Sequence, residues 1–264
     1  MDMASNDDFG IGPYLPGPRH TELLSEDTRA ARLLEAHDQA VKLFDMVTEP
    51  DILRPGVSDS EATLGIRQLA AERFGVSRHW HKRIVRSGPN TLQPYQINPP
   101  DRTMTDDDIV FADFGPVFDN WEADFGRTWV LGNDPTKLRL CKDLAEVHAA
   151  GKQYFNDNPD ITGSQLYTEV VRLAGEHGWT FGNFHCGHLV GEFPHQLFEG
   201  ERNDSMITSV NSNPVRRTDP SGRVGHWILE VHLIDQAREI GGFYEELLAI
   251  PTDVVAFPSQ KGTK

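Results

Sequence analysis

Apolar and polar positions in the first part of the chain predict two helices. Apolar residues recur at helical spacing over residues 24–49, which predicts a long first helix. Ser58 and Glu61 fit a capping box, in which each side chain bonds the other residue's backbone N–H, and so predict the start of a second helix. That helix is expected to end at Gly75, and an aromatic, strand-like segment follows it.

A similar phrase returns in the second half of the chain. Thr162 and Gln165 occupy the same two capping positions, and Gly178 ends the helix that they open. A further helix is predicted near residues 136–155, and two late stretches, HWILEVHLI and GFYEELLAI, have the character of strands. Helices followed by strands therefore occur twice, which predicts an α+β fold with antiparallel strands covered by helices. Chance is the alternative explanation of the repeat, since capping boxes are common.

The beginning of the chain differs from the rest. Residues 1–20 are acidic and broken by glycine and proline, which predicts an irregular arm. They have neither the basic start nor the apolar stretch of a signal peptide. Nothing in the composition separates domains after this arm, so residues 21–264 are predicted to form a single domain.

Charge and cysteine content narrow the function classes. The chain has 25 basic and 40 acidic residues, a formal charge of −15, which argues against nucleic acid or an anionic membrane as a partner. No run approaches the roughly 18 apolar residues of a membrane span. Cys141 and Cys186 do not make a disulfide framework, so a reducing compartment, the cytoplasm, is expected.

Two aspartates interrupt the aromatic stretch FADFGPVFDNWEADFGRTW. Asp119 and Asn120 form a typical turn pair between two strands, and a two-residue loop would place Asp113 opposite Gly126. Asp124 lies two positions before Gly126, so both carboxylates would point to one side of the sheet, with Cα atoms about 7–8 Å apart.

The proximity of these carboxylates raises a choice between two interpretations. On a packed face, two close carboxylates repel each other and lose hydration, and a cation between them removes that conflict. On a solvent-exposed face, the pair costs little and needs no ion. A different metal site, on His79 and His81 of RHWHKR, has no carboxylates beside it in the sequence.

Further candidate ligands lie later in the chain. The glycine-rich segment NFHCGHLVGEFPHQ carries His185, His188 and His195, and imidazoles on such a segment can approach a ligand closely. Glu230 interrupts the apolar strand WILEVHLI, and in FYEELLAI the alternation puts Glu246 on the apolar face and its neighbour on the other. Two Asp, one or two His and two Glu can share two divalent ions. Alternatively, each glutamate is an edge or solvent-facing residue.

The order of these residues resembles that of a known family. Four stretches within residues 87–246 are similar to motifs of the pita-bread metallopeptidases: DFGPVFDNWEADFGRT, CGHLVGEFPH, ILEVH and GGFYEE. The family includes methionine aminopeptidase, aminopeptidase P, prolidase and creatinase, and the proline-peptidase branch is closest in motif. The resemblance implies a pita-bread fold, with two pseudo-symmetric halves and a curved antiparallel sheet covered by helices.

The resemblance also implies a dinuclear metal site. Two divalent ions, manganese first and cobalt, zinc or iron otherwise, would be bound by five ligands: Asp113, Asp124, His188, Glu230 and Glu246. Asp124 and Glu246 would bridge the ions. His195 and Glu230 would be catalytic, because the family's second histidine contacts the substrate and the first of its two glutamates also moves protons.

The implied reaction is hydrolysis of an amide or peptide C–N bond. Two cations lower the pKa of a bridging water, and the resulting hydroxide attacks a carbonyl that a metal polarises. An Xaa-Pro aminopeptidase or dipeptidase acting on a small molecule or short peptide is the first expectation, and the family suggests a homodimer. The alternatives are a non-peptide amidase, a creatinase-like enzyme or a metal-dependent lyase, or a binding protein that has lost catalysis.

Three departures from the family pattern concern the substrate and the domain content. Tyr95 stands where the motif resembled by SGPNTLQPY usually ends in histidine, and Tyr244 stands where an arginine often precedes the last glutamate by two positions. Tyr95, Tyr244 and His185 are therefore the candidate substrate-binding residues. The chain is also expected to lack the long N-terminal domain of aminopeptidase P and creatinase.

Overall fold

The computed structural model describes residues 24–48, 51–195, 197–198, 202–219 and 222–248, so the predicted arm, residues 1–20, lies outside the described residues. The described helices are α1 (Glu26–Asp45), α2 (Asp59–Phe74), α3 (Pro135–Asp157) and α4 (Gly163–Glu176). All four lie where the apolar spacing and capping residues predicted a helix. None of the helices in the described part of the chain has the length and apolar character needed to cross a bilayer.

Both predicted capping boxes are confirmed. The Ser58 hydroxyl accepts from the Glu61 backbone N–H, and the Glu61 carboxylate accepts from the backbone N–H of Ser58. Thr162 and Gln165 make the same reciprocal pair at the start of α4. Each such cap stabilises its helix by about 1 kcal/mol. Gly75 ends α2 in the left-handed conformation at φ 67°, which glycine adopts without strain.

An antiparallel sheet forms the other layer. Its strands are β1 (Ile84–Ser87), β2 (Ile109–Phe114), β5 (Phe125–Val130), β6 (Thr180–Phe181), β7 (His185–Val190), β8 (Met206–Thr208), β9 (His226–Asp235) and β10 (Ile240–Leu247), and β3 (Val117–Phe118) and β4 (Trp121–Glu122) form a separate hairpin. The spatial order is β1, β2, β5, β10, β9, β7 and β8, with β6 paired to β9. The two halves of the chain therefore meet at β5 and β10, each preceded by its own pair of helices.

The helices pack on one face of the sheet. Phe44 of α1 lies edge-on to Phe114 and Phe125, with ring centroids 6.2 and 4.8 Å away. Each such pair adds about 0.5–1.5 kcal/mol to the area that it buries. In the second half, Leu144 of α3 belongs to one buried cluster with Leu229 of β9. Residues that alternate with these along the strands face the other side of the sheet, where the candidate site lies.

Buried histidines away from this site predict acid sensitivity. His226, at the start of β9, is 9% exposed, and burial together with the positive charge of Arg29 lowers its pKa to about 4. The native state therefore keeps this imidazole neutral, whereas the unfolded chain binds a proton below about pH 6.5. The stability that depends on the neutral form is present above pH 6.5 and is lost as the pH falls toward 4.

We expect a His226→Phe variant to lose less stability in acid than the wild type. Because phenylalanine does not titrate, the fall in unfolding free energy between pH 7 and pH 4.5 should be smaller in the variant by roughly 2 kcal/mol. Urea unfolding of both proteins at the two pH values measures this difference. Equal losses in the two proteins would show that His226 is protonated in the native state as readily as in the unfolded chain.

Candidate functional site

Three acidic residues form a row across four neighbouring strands of the sheet. Asp113 of β2 lies opposite Gly126 of β5, Gly126 lies opposite Glu245 of β10, and Glu245 lies opposite Glu230 of β9. Residues paired across antiparallel strands point to the same face, so the three carboxylates share the face away from the helices. A Cβ at Gly126 would lie 2.5 Å from Cδ1 of Phe243 and 3.1 Å from the Glu245 Cβ, so glycine at this position makes room for the Phe243 ring in the row.

The hairpin that positions the aspartates has the predicted turn. Phe118 pairs with Trp121, and the two loop residues, Asp119 and Asn120, both have positive φ values of 46° and 69°. Two left-handed central residues are what a two-residue hairpin loop of type I′ requires, and Asp and Asn tolerate that conformation better than most residues. The predicted register of this hairpin is confirmed.

Asp124 lies at the centre of the site, between two imidazoles. The Nε2 atom of His81 is 2.9 Å from Oδ1 of Asp124, and the Nε2 atom of His188 is 3.2 Å from Oδ2. Asp113 Oδ1 is 3.7 Å from His81 Nε2, and Glu245 Oε1 is 3.6 Å from His188 Nε2. Two groups that could hold an ion result: His81, Asp113 and Asp124, and Asp124, His188 and Glu245. The two groups share Asp124.

Burial and like charges shift the ionisation of the site. Burial raises the pKa of Asp113 to about 7 and that of Glu245 well above its usual range, with neighbouring carboxylates adding to both shifts. Burial also acts to raise the pKa of Asp124, but His81 and His188 hold it below the ordinary value. For His81, burial opposes the charges of Asp124 and Asp113, which together raise the pKa to about 9. The site therefore strongly favours added positive charge.

The donor set fits divalent cations. Asp113 Oδ1 and Glu245 Oε2 are buried and accept no hydrogen bond among the described residues. Such orphaned acceptors are costly in a protein interior, and a bound cation would satisfy them. Carboxylates combined with imidazole suit hard and borderline divalent ions.

The structure corrects the prediction for the last glutamate. Glu245 lies in the row of carboxylates, whereas Glu246 points to the helix-covered face, where its carboxylate pairs with Arg127 and accepts a hydrogen bond of 2.9 Å from the Tyr244 hydroxyl. The physical reason is the two-residue period of a strand, in which a shift by one position moves a side chain to the other face. Glu246 is thus neither a ligand nor a bridge in this arrangement.

The prediction that Tyr244 faces the substrate is wrong for the same reason. The Tyr244 ring lies on the helix side of the sheet, 4.8 Å from the ring of His148. It therefore does not face the row formed by Asp113, Glu245 and Glu230. Phe243 occupies the site face instead, and it packs in an apolar cluster with Phe111 and Tyr95. The structure therefore puts a phenylalanine where the family often has an arginine, two positions before the glutamate that faces the site.

Tyr95, a predicted substrate-binding residue, lies beside the site. Its ring centroid is 5.8 Å from that of His81, and its hydroxyl accepts a 3.2 Å hydrogen bond from the backbone N–H of Lys82. Burial, followed by the charge of Asp113, raises the pKa of the Tyr95 hydroxyl, so this group stays protonated at neutral pH. Arg86, which donates to the backbone carbonyls of Pro94 and Ile97, holds the loop that carries Tyr95.

Two further predicted residues are held by carboxylates. Nδ1 of His195 donates to Oε2 of Glu122 at 2.7 Å, and the His195 backbone N–H donates to Oε1 of the same side chain at 3.0 Å. Nδ1 of His185 contacts Oε1 of Glu230, and both side chains are 7% exposed. The structure thus brings together all the predicted site residues except Glu246 and Tyr244.

Sequence patterns missed three residues at this site. Trp80 stands between three imidazoles, with ring centroids 4.6 Å from His81, 5.4 Å from His188 and 5.3 Å from His195. Glu122, 1% exposed, gave no signal beyond being an acidic residue in an apolar run. His81 was set aside because no carboxylate is near it in the sequence, but the fold places it against the two aspartates.

The neighbouring glutamates of β10 allow a matched test. We expect Glu245→Gln to lower the divalent metal content, since it removes a ligand charge from a buried site. Glu246→Gln should leave metal content unchanged and lower thermal stability instead, since it weakens the pairing with Arg127 on the other face. Metal analysis of both variants after loading and desalting shows which of the two glutamates contributes to metal binding. Loss of metal in Glu246→Gln alone would contradict the placement of Glu245 among the metal ligands.

Comparison with known proteins adds an independent finding. The profile of metallopeptidase family M24 matches residues 31–215 of this chain. An Xaa-Pro dipeptidase from Lactobacillus delbrueckii subsp. lactis is 25% identical over 181 residues, which cover 67% of this chain and 48% of that protein. The chain thus spans about half the length of the curated relative that it matches.

Solved structures show the same fold. A dipeptidase from Pyrococcus horikoshii superposes with a TM-score of 0.66 at 18% identity, covering 83% of this chain and 56% of that one. An Xaa-Pro dipeptidase from Bacillus anthracis gives a TM-score of 0.66 at 18% identity, covering 84% and 60%. The predicted α+β pita-bread architecture is confirmed by these superpositions. With the profile matching more than half of its residues, the chain belongs to metallopeptidase family M24.

Proposed function

We propose that this chain is a dinuclear metal-dependent hydrolase that cleaves a peptide or amide C–N bond, of the Xaa-Pro dipeptidase or aminopeptidase type. The observation that carries the proposal is the buried row of Asp113, Glu245 and Glu230 around Asp124 and its two imidazoles. The names of the M24 relatives support the choice of an Xaa-Pro peptide as substrate.

Five residues would hold the two ions: Asp113, Asp124, His188, Glu230 and Glu245. Manganese is the first choice of ion, because carboxylate oxygens dominate this set, and cobalt, zinc or iron are the others. Such ions supply Lewis acidity toward a carbonyl and lower the pKa of a water. Asp124 would contribute to holding both ions, since its Oδ1 lies near His81 and its Oδ2 lies near His188.

His195 would act on the substrate. Glu122 occupies its Nδ1 atom and fixes the ring, which leaves Nε2 as the nitrogen for contact with a substrate carbonyl. Glu230, in contact with His185, would hold and pass a proton to the leaving nitrogen. Trp80 packs against all three imidazoles and helps to fix their positions.

An apolar wall beside the carboxylates suits a proline ring. The rings of Phe111 and Phe243 lie 5.6 Å apart, and Tyr95 packs against the same cluster. A pyrrolidine ring presents mainly CH₂ groups, which such a wall can cover while the amide faces the polar row.

We expect the protein to be located in the cytoplasm and to assemble as a homodimer.

Phe243 also favours a second candidate function. An arginine at this position would hold a substrate carboxylate or backbone, whereas phenylalanine offers no donor. A substrate without a carboxylate, such as a non-peptide amide, would not need that donor. We therefore keep a non-peptide amidase, or a lyase using the same metals, as the alternative.

Turnover of the manganese-loaded protein tests the proposal. Hydrolysis of the Xaa–Pro bond is expected: it releases free proline from Xaa-Pro dipeptides and the free N-terminal amino acid from tripeptides with proline in the second position. Peptides that lack proline should not be cleaved. His195→Asn serves as the inactive control, because it should bind the same ions. A wild type that binds two ions and hydrolyses no peptide would contradict peptidase activity and point to the second candidate.

A further inference from the structure

His81 lies at the metal site without a role in the proposed reaction. It stands between α2 and β1, and its side chain is 6% exposed. Its Nε2 atom is 2.9 Å from Asp124 Oδ1 and 3.7 Å from Asp113 Oδ1. Nitrogen and the two oxygens all lie within 4.8 Å of one another, which is close enough for one cation to touch all three.

His81 is oriented in the same way as His188. Nδ1 of His81 lies 2.7 Å from the carbonyl oxygen of Lys82, and Nδ1 of His188 lies 2.9 Å from the carbonyl oxygen of Leu189. In each case the acceptor belongs to the next residue, and Nε2 points to a different oxygen of Asp124. A backbone carbonyl on one ring nitrogen fixes the proton there and leaves the other nitrogen free to bind metal.

A simple ion pair with Asp124 does not account for the whole arrangement. It leaves Asp113 Oδ1 buried without a hydrogen-bond partner, and 3.7 Å is too long for a hydrogen bond from His81. A cation between the two aspartates and the imidazole would satisfy all three groups. The orphaned oxygen is therefore a second observation, independent of the His81 geometry, that points to a ligand at this place.

The ring of His81 is also locked in position. A Cβ at Gly115 would lie 2.2 Å from the His81 Cδ2 atom, so the ring rests directly on the backbone there. The indole of Trp80 covers the ring with a centroid distance of 4.6 Å, and Tyr95 closes another side at 5.8 Å. A ligand held in this way binds metal with little loss of side-chain entropy.

We propose that His81 is an additional ligand of the metal centre and that it binds, through Nε2, the ion held by Asp113 and Asp124. Each ion then has its own imidazole, His81 on one and His188 on the other. This role rests on the proposed function, which requires a two-ion centre. Since imidazole suits cobalt, iron and zinc better than manganese, His81 should shift the metal preference of its site toward those ions.

Titration of the full chain with Co²⁺, and separately with Mn²⁺, tests this role. The proteins compared are wild type, His81→Ala, His81→Gln and the control His79→Gln, whose histidine packs on Phe114 instead of the carboxylates. Calorimetry gives stoichiometry and affinity, and the visible spectrum of bound Co²⁺ reports its coordination. Both His81 variants should weaken one Co²⁺ site by about tenfold or more, weaken Mn²⁺ less, and change the spectrum.

The outcomes separate this proposal from the proposed function. Two ions bound by wild type and by both His81 variants with the same affinity and spectrum would show that His81 is only an ion-pair partner, while the hydrolase proposal would stand. A wild type that binds no ion would overturn both. Equal weakening in His79→Gln would attribute the effect to general disturbance of the segment and so reject the ligand role. Circular dichroism shows whether each variant is folded. If His81→Ala does not fold, His81→Gln still tests the role, because glutamine fills most of the space of the imidazole.

Discussion

Asp124→Asn will reduce the metal content of the protein from about two divalent ions per chain to less than one. Asp124 belongs to both ligand groups, and a neutral amide oxygen binds a divalent ion more weakly than a carboxylate does. Asparagine keeps the size of the side chain but lacks the negative charge that lies between His81 and His188. Metal analysis after manganese loading and desalting measures the loss. Every other residue of the two groups belongs to one group only, so its replacement should cost less metal than the replacement of Asp124.

The control for this variant lies in the same hairpin. Asp119→Asn makes the same chemical change at an exposed turn residue with φ 46°, a conformation that asparagine tolerates as well as aspartate. It should keep two ions and the stability of the wild type. If Asp124→Asn also kept two ions, the shared carboxylate would not be a ligand, and the row on the sheet face would have to bind metal without it.

Local sequence was sufficient where the structure depends on local geometry. The Asp119–Asn120 turn fixed the pairing of its two strands, and with it the position of Asp113 opposite Gly126. The capping boxes fixed the starts of two helices in the same way. In each case the deciding contacts join residues close in the chain, so few alternatives compete.

The error at Glu246 shows what the pattern lacked. Apolar neighbours on β10 suggested that Glu246 shared the buried face, yet both faces of this strand are packed, so alternation alone could not choose between them. The register with β9 decides it: Ile240 pairs with Asp235 across a four-residue turn, and that count places Glu245 opposite Glu230. A turn-based count like the one used for the first hairpin would have found this pairing.

The contacts made by His81 and Glu122 could not be read from the sequence. His81 reaches Asp124 across 43 residues, and Glu122 reaches His195 across 73. Neither separation has a local signature, because both depend on how the loop before β1 and the segment after β7 fold over the sheet. Residues of this kind position the site, and only the tertiary structure identifies them.

Glu122 supports His195 through three hydrogen bonds. Its two oxygens accept from the backbone N–H groups of Gly191 and His195, each at 3.0 Å, and from Nδ1 of His195 at 2.7 Å. The carboxylate therefore fixes both the segment that carries His195 and the tautomer of its ring. It touches no proposed metal ligand in these contacts, so its effect on catalysis should reach the substrate through His195 alone.

Glu122→Gln should lower kcat by about 10- to 100-fold, the usual effect of losing a carboxylate behind a functional histidine, while two ions stay bound. The amide can present an N–H to Nδ1, which would favour the tautomer with its proton on Nε2 and so invert the donor and acceptor atoms toward the substrate. The pH dependence of kcat should change with the tautomer, whereas a loss of packing alone would leave the pH dependence in place.

The double variant Glu122→Gln/His195→Asn separates action through His195 from an independent role of Glu122. If Glu122 acts through His195, the double variant is no slower than His195→Asn. Additive losses in that cycle would mean that Glu122 has an independent role.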